Sequence, residues 1–396
     1  MKKSISIVGG GTSALFLAAF LDSEKFDVTI FEKQKSLGRK FLVAGDGGFN
    51  LTHSESLEKL KSRYTPSGFL DNCLDQFSNS HLRDWLMSIN IPTYIGSSKR
   101  VFPEKGIKPI QVLKAIESHL LSQQVDFKYS HTFTGWDNTR AIYFNETERI
   151  ESDVIVFALG GSSWKVTGSD GQWQSLFDKK NISTNPFEAS NCAFAISWDK
   201  DFIDAFEGQP LKNISISIDN KTQKGEVVFT RFGLEGNAIY ALSPIIRQQL
   251  KANATARFTI DFKPTLDATS ISNKLQQSKL NRSQTLKQVL KLTSAQVHLL
   301  KKITNKEDFL NDAILVNLIK KYPLNITGVA PIDEAISTAG GIDLNEINNF
   351  FELKKMKSTY CIGEMLAWDA PTGGYLIQAC SSMGHFLANH LNEIEK

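Results

Sequence analysis

An α/β fold with a parallel sheet is predicted by three stretches of this 396-residue sequence. The first, "SISIVGGGTSALFLAAF", runs an apolar strand through a glycine turn into a helix of small and apolar residues. The second, "DVIVFALGGSSW", is another buried strand that ends in paired glycines. The third, "STYCIGEMLAWDAPTGGYLIQACSSMG", places a strand, a Gly–Glu pair and a Gly–Gly turn ahead of the last helix.

In the first stretch, Ser4 to Val8 read as a short buried strand, and Gly9, Gly11 and Ala14 follow in a G-x-G-x-x-A spacing. The first glycine permits the tight turn, the second lets a pyrophosphate approach the backbone, and the small third residue lets the helix pack on the strand. Thr12 and Ser13 begin that helix, whose amides would face phosphate oxygens. A second strand, Phe26 to Phe31, ends in Glu32, 23 residues after Gly9 and followed by Lys33. A carboxylate there accepts hydrogen bonds from ribose hydroxyls. Lys2 and Lys3 ahead of an apolar run also suit an export signal, but three glycines interrupt the run. The dinucleotide reading is preferred.

Downstream lies "GRKFLVAGDGGFN", where Arg39 and Lys40 could neutralise a pyrophosphate and the glycines, Gly45 among them, let backbone approach a flat ligand. The stretch through Ala158, Gly160 and Gly161 lacks a further G-x-x-G/A and acid, so no second dinucleotide domain is expected.

Composition bounds the class. Hydrophobic residues make up 41% and charged residues 22%, as in soluble globular proteins, and no run is long enough to span a membrane. Four scattered cysteines without a C-x-x-C pair and seven dispersed histidines argue against a disulfide framework and a metal site, so a cytoplasmic protein is expected. No G-x-S-x-G elbow supports acyl transfer.

The glycine turn, Glu32, "GRK", "RVFP", "ALGGSSWKVTGSDG" and the C-terminal block together resemble the HI0933-like flavoproteins, also labelled aminoacetone-oxidase-like or bile-acid-reductase-like. "GGFNLTHSE", "PFEASNCAFAISW" and "FEGQPLKN" resemble one subfamily with a GGxNLTHSE loop more closely. The resemblance implies a Rossmann-type fold and noncovalent FAD. It also implies roles for the C-terminal block: Gly363 and Glu364 at the ribityl-phosphate portion, and Gly373 and Gly374 opening a helix from Tyr375 toward the flavin N1/O2 edge, with Gln378 adding a polar contact. Many members read G-G-G-R-C-N after "GRK", whereas this chain has Asp46-Gly47-Gly48-Phe49-Asn50. Roles of that Arg and Cys therefore do not transfer.

The expected organisation is an FAD domain from 1–190 and 336–396, an inserted β-barrel-like domain from 191–263 and 323–335, and a helical subdomain from 264–322. The insertion follows from alternating segments such as "NISISIDN" and "ARFTIDF". The helical part follows from Leu286, Val289, Leu290, Leu299, Leu300 and Ile303 at three- and four-residue steps, with Asn305 and Asp308 suited to a cap. That segment holds ten Lys/Arg against four Asp/Glu in a chain of net charge +3, so it is either a solvated lid or a site for an acidic partner.

The resemblance further implies hydride transfer from flavin N5 to an activated C=C bond of a small molecule, with NAD(P)H as the expected transient electron donor. Alternatives are uridine reduction in structured RNA, substrate oxidation by oxygen, and a non-catalytic redox-sensing flavoprotein. Asn50, His53 and Tyr375 are the candidate catalytic residues, Asn50 doubling as a cofactor contact. Trp164, Trp368 and Asp369 are further residues expected near the ring.

Overall fold

The computed structural model describes residues 1–43, 48–137, 139 and 141–394. It resolves into two compact units, Met1–Ser190 with Ile332–Lys396, and Asn191–Pro331.

The first unit is built on a five-stranded parallel sheet. In chain order its strands are β1 (Lys3–Val8), β2 (Phe26–Glu32), β3 (Asp126–Tyr129), β4 (Val154–Phe157) and β5 (Thr359–Cys361). Their spatial order is β5-β4-β1-β2-β3, so the first strand is central and the latest in sequence lies at an edge. Central β1 is buried from Ile5 to Val8, Ser6 included, although its sequence alternates Ser with Ile. Between β1 and β2 runs α1 (Thr12–Phe20), which is buried from Ser13 to Ala19. Such a helix needs cover all round. The cover opposite the sheet is α2 (Tyr375–Ile394), which comes so close at Gly384 that a side-chain carbon there would sit 2.6 Å from Leu17 N.

Two small antiparallel sheets decorate this unit. One has Arg100–Pro103 at its centre, flanked by Thr52–His53 and Thr93–Ile95. The other is a meander of Phe133–Trp136, Ile142–Phe144 and Glu148–Ile150. Where the chain leaves and returns, Thr184–Ser190 pairs antiparallel with Ser337–Ile342.

The second unit holds seven strands in one antiparallel sheet, in the order 322–326, 256–261, 210–218, 221–229, 233–235, 194–195 and 328–329. Only Thr327 separates the two edge strands in sequence, so the sheet curls to bring its edges near one another. No ladder joins those edges among the described residues, so the sheet curls toward the barrel-like insertion expected from the sequence without a ladder that closes it. Helices at Ala268–Gln277, Ser294–Lys302 and Asp312–Lys320 pack in the same apolar core, with a π turn at Thr285–Val289. Leu286, Leu290, Leu299 and Leu300 are buried there, while Ile303 is exposed. Asn305 caps Lys306–Leu310 by accepting from Asp308 N–H at 2.9 Å.

Candidate active site

The C-terminal ends of β1, β2, β4 and β5 converge, and the functional residues of the first unit gather outside them, where open α/β sheets bind ligands. At the end of β1 the chain turns at Gly9, whose φ of 103° is a left-handed value that side chains avoid. A methyl group at Gly9 would also collide with the Ala158 carbonyl oxygen at the end of β4. Gly9 N–H donates to Phe31 O at 2.8 Å, which ties the turn to β2.

Two positions on, Gly11 caps α1 without a side-chain bond, and no acid occupies the helix's first turn. Among the described residues no atom beyond its chain neighbours and the helix's own backbone lies within 4 Å of where a Gly11 side chain would begin. The first amides of a helix have no intrahelical partner. This end therefore offers free space and unclaimed donors together, as a pyrophosphate requires. Glu32 braces the same turn: Oε2 accepts from Gly10 N–H and Oε1 from Gln34 N–H, both at 2.8 Å. Lys33 pairs with Asp170 at 2.9 Å, and Arg39 donates to Gln34 Oε1 at 2.8 Å.

The C-terminal block meets this turn directly. Gly363 sits against the Ser13 hydroxyl, so the two ends of the sequence touch at the start of α1. Glu364 accepts from Lys40 at 2.8 Å and from Thr338 N–H at 3.0 Å, and Lys40 also donates to Ser163 Oγ at 2.7 Å. Glu364 and Thr338 both crowd Gly161, whose lack of a side chain leaves them room. Gly160 lies beside it with its carbonyl accepting from Trp173 Nε1 at 3.1 Å. Of the expected contacts, Gly45 lies outside the described residues, and Asn50 spends its amide on Gly48 O at 3.0 Å.

A second cluster stands at the start of α2. His53 and Tyr375 stack with ring centroids 5.3 Å apart and planes 16° from parallel. Tyr375 donates its hydroxyl to Glu55 Oε1 at 2.9 Å, and Arg63 grips the same carboxylate in a fork at 2.9 and 2.8 Å. Burial would raise the Glu55 pKa, but the hydrogen bonds from Arg63 and Tyr375 outweigh it and hold the carboxyl below its ordinary range. Burial pushes the Tyr375 phenol up, and the Glu55 charge adds to that.

His53 is shifted down, by burial first and by the positive charge of Arg63 and Arg100 against the pull of Glu55. Its Nδ1 accepts from Glu55 N–H at 3.2 Å, which leaves the ring hydrogen on Nε2. The backbone here is pinned by Asn79, whose amide donates to the His53 and Glu55 carbonyls at 2.6 and 3.0 Å.

Gln378 is fully buried and committed: it accepts from Thr52 at 2.6 Å and donates to Phe77 O and Ser382 Oγ, both at 3.0 Å. Trp368 is also buried and donates to Gly363 O at 2.8 Å, Asp369 accepts from Ser190 at 2.8 Å, and Trp164 adopts a left-handed φ of 61°. Sequence reasoning missed Glu55, Arg63 and Thr338 as site residues. Their partners are distant in sequence or set by tertiary packing, and no local spacing announces them.

The model for the HI0933-like protein Rossmann domain matches residues 3–390. A ribosomal RNA dihydrouridine synthase of Haemophilus influenzae is 23% identical over 394 residues, covering 94% of each chain. A 3-dehydro-bile acid delta(4,6)-reductase of Clostridium scindens is 22% identical, covering 96% of this chain and 97% of its own. Among solved structures, the 3-ketosteroid-delta4-(5alpha)-dehydrogenase of Rhodococcus jostii RHA1 superposes with a TM-score of 0.53 at 12% identity, over 100% of this chain and 97% of that one. Among the described residues, no helix is long and apolar enough to cross a membrane. The chain belongs to the HI0933-like family, and its α/β Rossmann-type fold is that of an FAD-dependent oxidoreductase.

Proposed function

We propose that this protein reduces an activated C=C bond, with FAD held noncovalently in the crevice described above and NAD(P)H as transient electron donor. The observation that carries the cofactor reading is the meeting of the open Gly11 turn with Gly363 at the start of α1. In this reading Gly9, Gly11 and the amides of Thr12, Ser13 and Ala14 take the pyrophosphate, with Arg39 and Lys40 nearby as positive charge. Glu32 and Lys33 lie toward the adenosine, and Ala158, Gly160, Gly161, Gly363 and Glu364 toward the ribityl chain. Gly373, Gly374 and Tyr375 border the ring. The FAD domain is the discontinuous one, 1–190 with 336–396.

Bound FAD supplies a hydride at N5. The names of two relatives support the reaction class, since making dihydrouridine and reducing a bile acid at delta(4,6) each saturate a ring double bond. The chain's own residues then orient an electron-poor acceptor so that its β-carbon takes the hydride. The α-carbon takes a proton from water or from the His53–Tyr375 pair. Tyr375 turns its hydroxyl hydrogen into Glu55 and the His53 ring hydrogen-bonds the backbone at Ser98, so either side chain gives up a partner when it donates. The test is anaerobic mixing of the FAD-loaded protein with NADPH or NADH, then with 2-cyclohexen-1-one. Rapid bleaching of the flavin band and its return with the enone support the reading. No bleaching by either nucleotide removes NAD(P)H from it, and no return with any enone removes the reaction.

Uridine in structured RNA is the second substrate reading. It is favoured by the name of a relative and by the exposed Lys274, Lys279, Lys287, Lys291, Lys301, Lys306 and Lys321 of the second unit. Binding through these would weaken steeply with salt. A filter-binding series with ribosomal RNA fragments decides it: affinity falling with a log–log slope of about −4 or steeper supports phosphate contact. A flat response removes RNA.

A further inference from the structure

Three basic residues around the crevice of the first unit are paired with carboxylates, and Arg39 donates to the neutral Gln34 amide at 2.8 Å. Lys33 has Asp170, Lys40 has Glu364, and Arg63 has the Glu55 fork. Arg100 is half-buried, yet its guanidinium makes no hydrogen bond or ion pair with any described residue.

Its position is fixed by the fold. Arg100 opens the central strand of the small sheet and lies directly across the ladder from His53. From there the side chain reaches the turn ahead of α2: an atom at the Cβ position of Gly373 would lie 3.4 Å from Arg100 Nε and 3.3 Å from Tyr375 Cε2. Arg100, Tyr375 and His53 thus border one spot beside Gly373. Among the described residues Glu55 is taken up by Arg63 and no other carboxylate pairs with Arg100. An unpaired guanidinium removed from water costs free energy unless an anionic oxygen meets it, and its planar fork suits such a partner.

We propose that Arg100 is a catalytic residue whose guanidinium holds a carbonyl oxygen beside the Gly373–Gly374 turn and takes the negative charge that two-electron reduction places on that oxygen. The assignment rests on the reductive reading of this site. For a conjugated carbonyl acceptor the balance is complete. Hydride forms a C–H bond at the β-carbon, the C=C pair shifts to join the α-carbon to the carbonyl carbon, and the C=O π pair moves onto oxygen. Protonation at the α-carbon then restores the carbonyl. The same chemistry has a second source, the pyrimidine carbonyl of the cofactor, which also gains negative charge on reduction.

The experiment uses the full-length FAD-loaded protein and its Arg100→Gln and Arg100→Lys variants, first checked for FAD content. Each is titrated with sulfite, which binds oxidised flavin more tightly when positive charge lies near the pyrimidine. Each is also assayed for kcat and KM with 2-cyclohexen-1-one. If the oxygen belongs to the substrate, Arg100→Gln lowers kcat by about 100-fold with little change in KM, and sulfite affinity stays within about twofold. If it belongs to the cofactor, sulfite affinity falls by about tenfold or more. Arg100→Lys, which keeps the charge and loses the fork, shows a smaller loss in the same measurement.

Wild-type behaviour of Arg100→Gln in both measurements overturns the assignment. Should that variant fail to hold FAD, an unchanged Arg100→Lys overturns it equally. A wild-type protein that reduces no enone, alongside weakened sulfite binding in Arg100→Gln, ends the reductive reading but leaves Arg100 as the holder of the cofactor oxygen. An active wild type with both Arg100→Gln measurements unchanged ends the Arg100 assignment alone.

Discussion

Glu55 organises the start of α2, because one carboxylate with 6% of its side chain exposed receives both Arg63 and Tyr375. Breaking a fully buried ion pair costs about 3–5 kcal/mol. Arg63, however, retains 36% side-chain exposure and can turn toward water. Glu55→Gln is therefore expected to destabilise by only about 1–2 kcal/mol in urea titrations, with Tyr375 released from its single orientation. Wild-type stability would show that the fork contributes nothing. Nothing in the local sequence reveals this arrangement: His53 and Tyr375 can be picked out as residue types near glycine turns, but their stacking depends on a contact between residues more than 300 positions apart.

His385 carries the pH prediction at this scale. It lies between Phe20 and Phe77, with centroids 4.7 and 4.6 Å away, and burial, helped by His81, lowers its pKa to about 4. The unfolded chain would protonate it near pH 6.5. Below that value the unfolded state binds more protons, so stability should fall from about pH 6.5 toward pH 4, by no more than about 3 kcal/mol. Thermal melts from pH 7.5 to 4 should show the loss, and a His385→Asn variant should show it less. Identical pH profiles for both would contradict the assignment.

At the scale of elements, the turn between β1 and α1 is the most local feature of the fold and the most legible. Its strand, small residues and acid lie within the first 32 positions, and the steric need at Gly9 follows from a backbone reversal that any such crossing makes. Gly9→Ala is expected to cost at least about 2 kcal/mol, from the left-handed φ and the clash with Ala158 together, and to release FAD. The checks are a thermal melt and the absorbance ratio of flavin to protein. A variant that keeps both would remove the turn from the cofactor site.

The inserted strands are a different case. Alternation identifies antiparallel strands, whereas closure of a sheet depends on pairing between distant edges, which alternation does not encode. That is why 191–263 reads as barrel-like while the structure shows a curled seven-stranded sheet without a closing ladder among the described residues. The helical part is nearer to its pattern, since Asn305 capping Asp308 N–H is a three-residue relation.

Across the whole molecule, the two ends of the sequence build one sheet, because β5 and α2 complete what β1 and α1 begin. That completion is legible only when the C-terminal glycines are read together with the N-terminal ones. The second unit carries the chain's excess basic charge, and the composition of a segment cannot by itself separate a solvated surface from a docking one.

The proposed reduction of activated C=C bonds through bound FAD can be followed in a single half-reaction. The FAD-loaded protein is photoreduced without oxygen and mixed separately with 2-cyclohexen-1-one, 4-androstene-3,17-dione and a uridine-containing ribosomal RNA fragment. Flavin reoxidation and product mass are then followed. Reoxidation by at least one acceptor is expected, with that acceptor gaining two hydrogens. Flavin that stays reduced with all three and is reoxidised only by oxygen would contradict it.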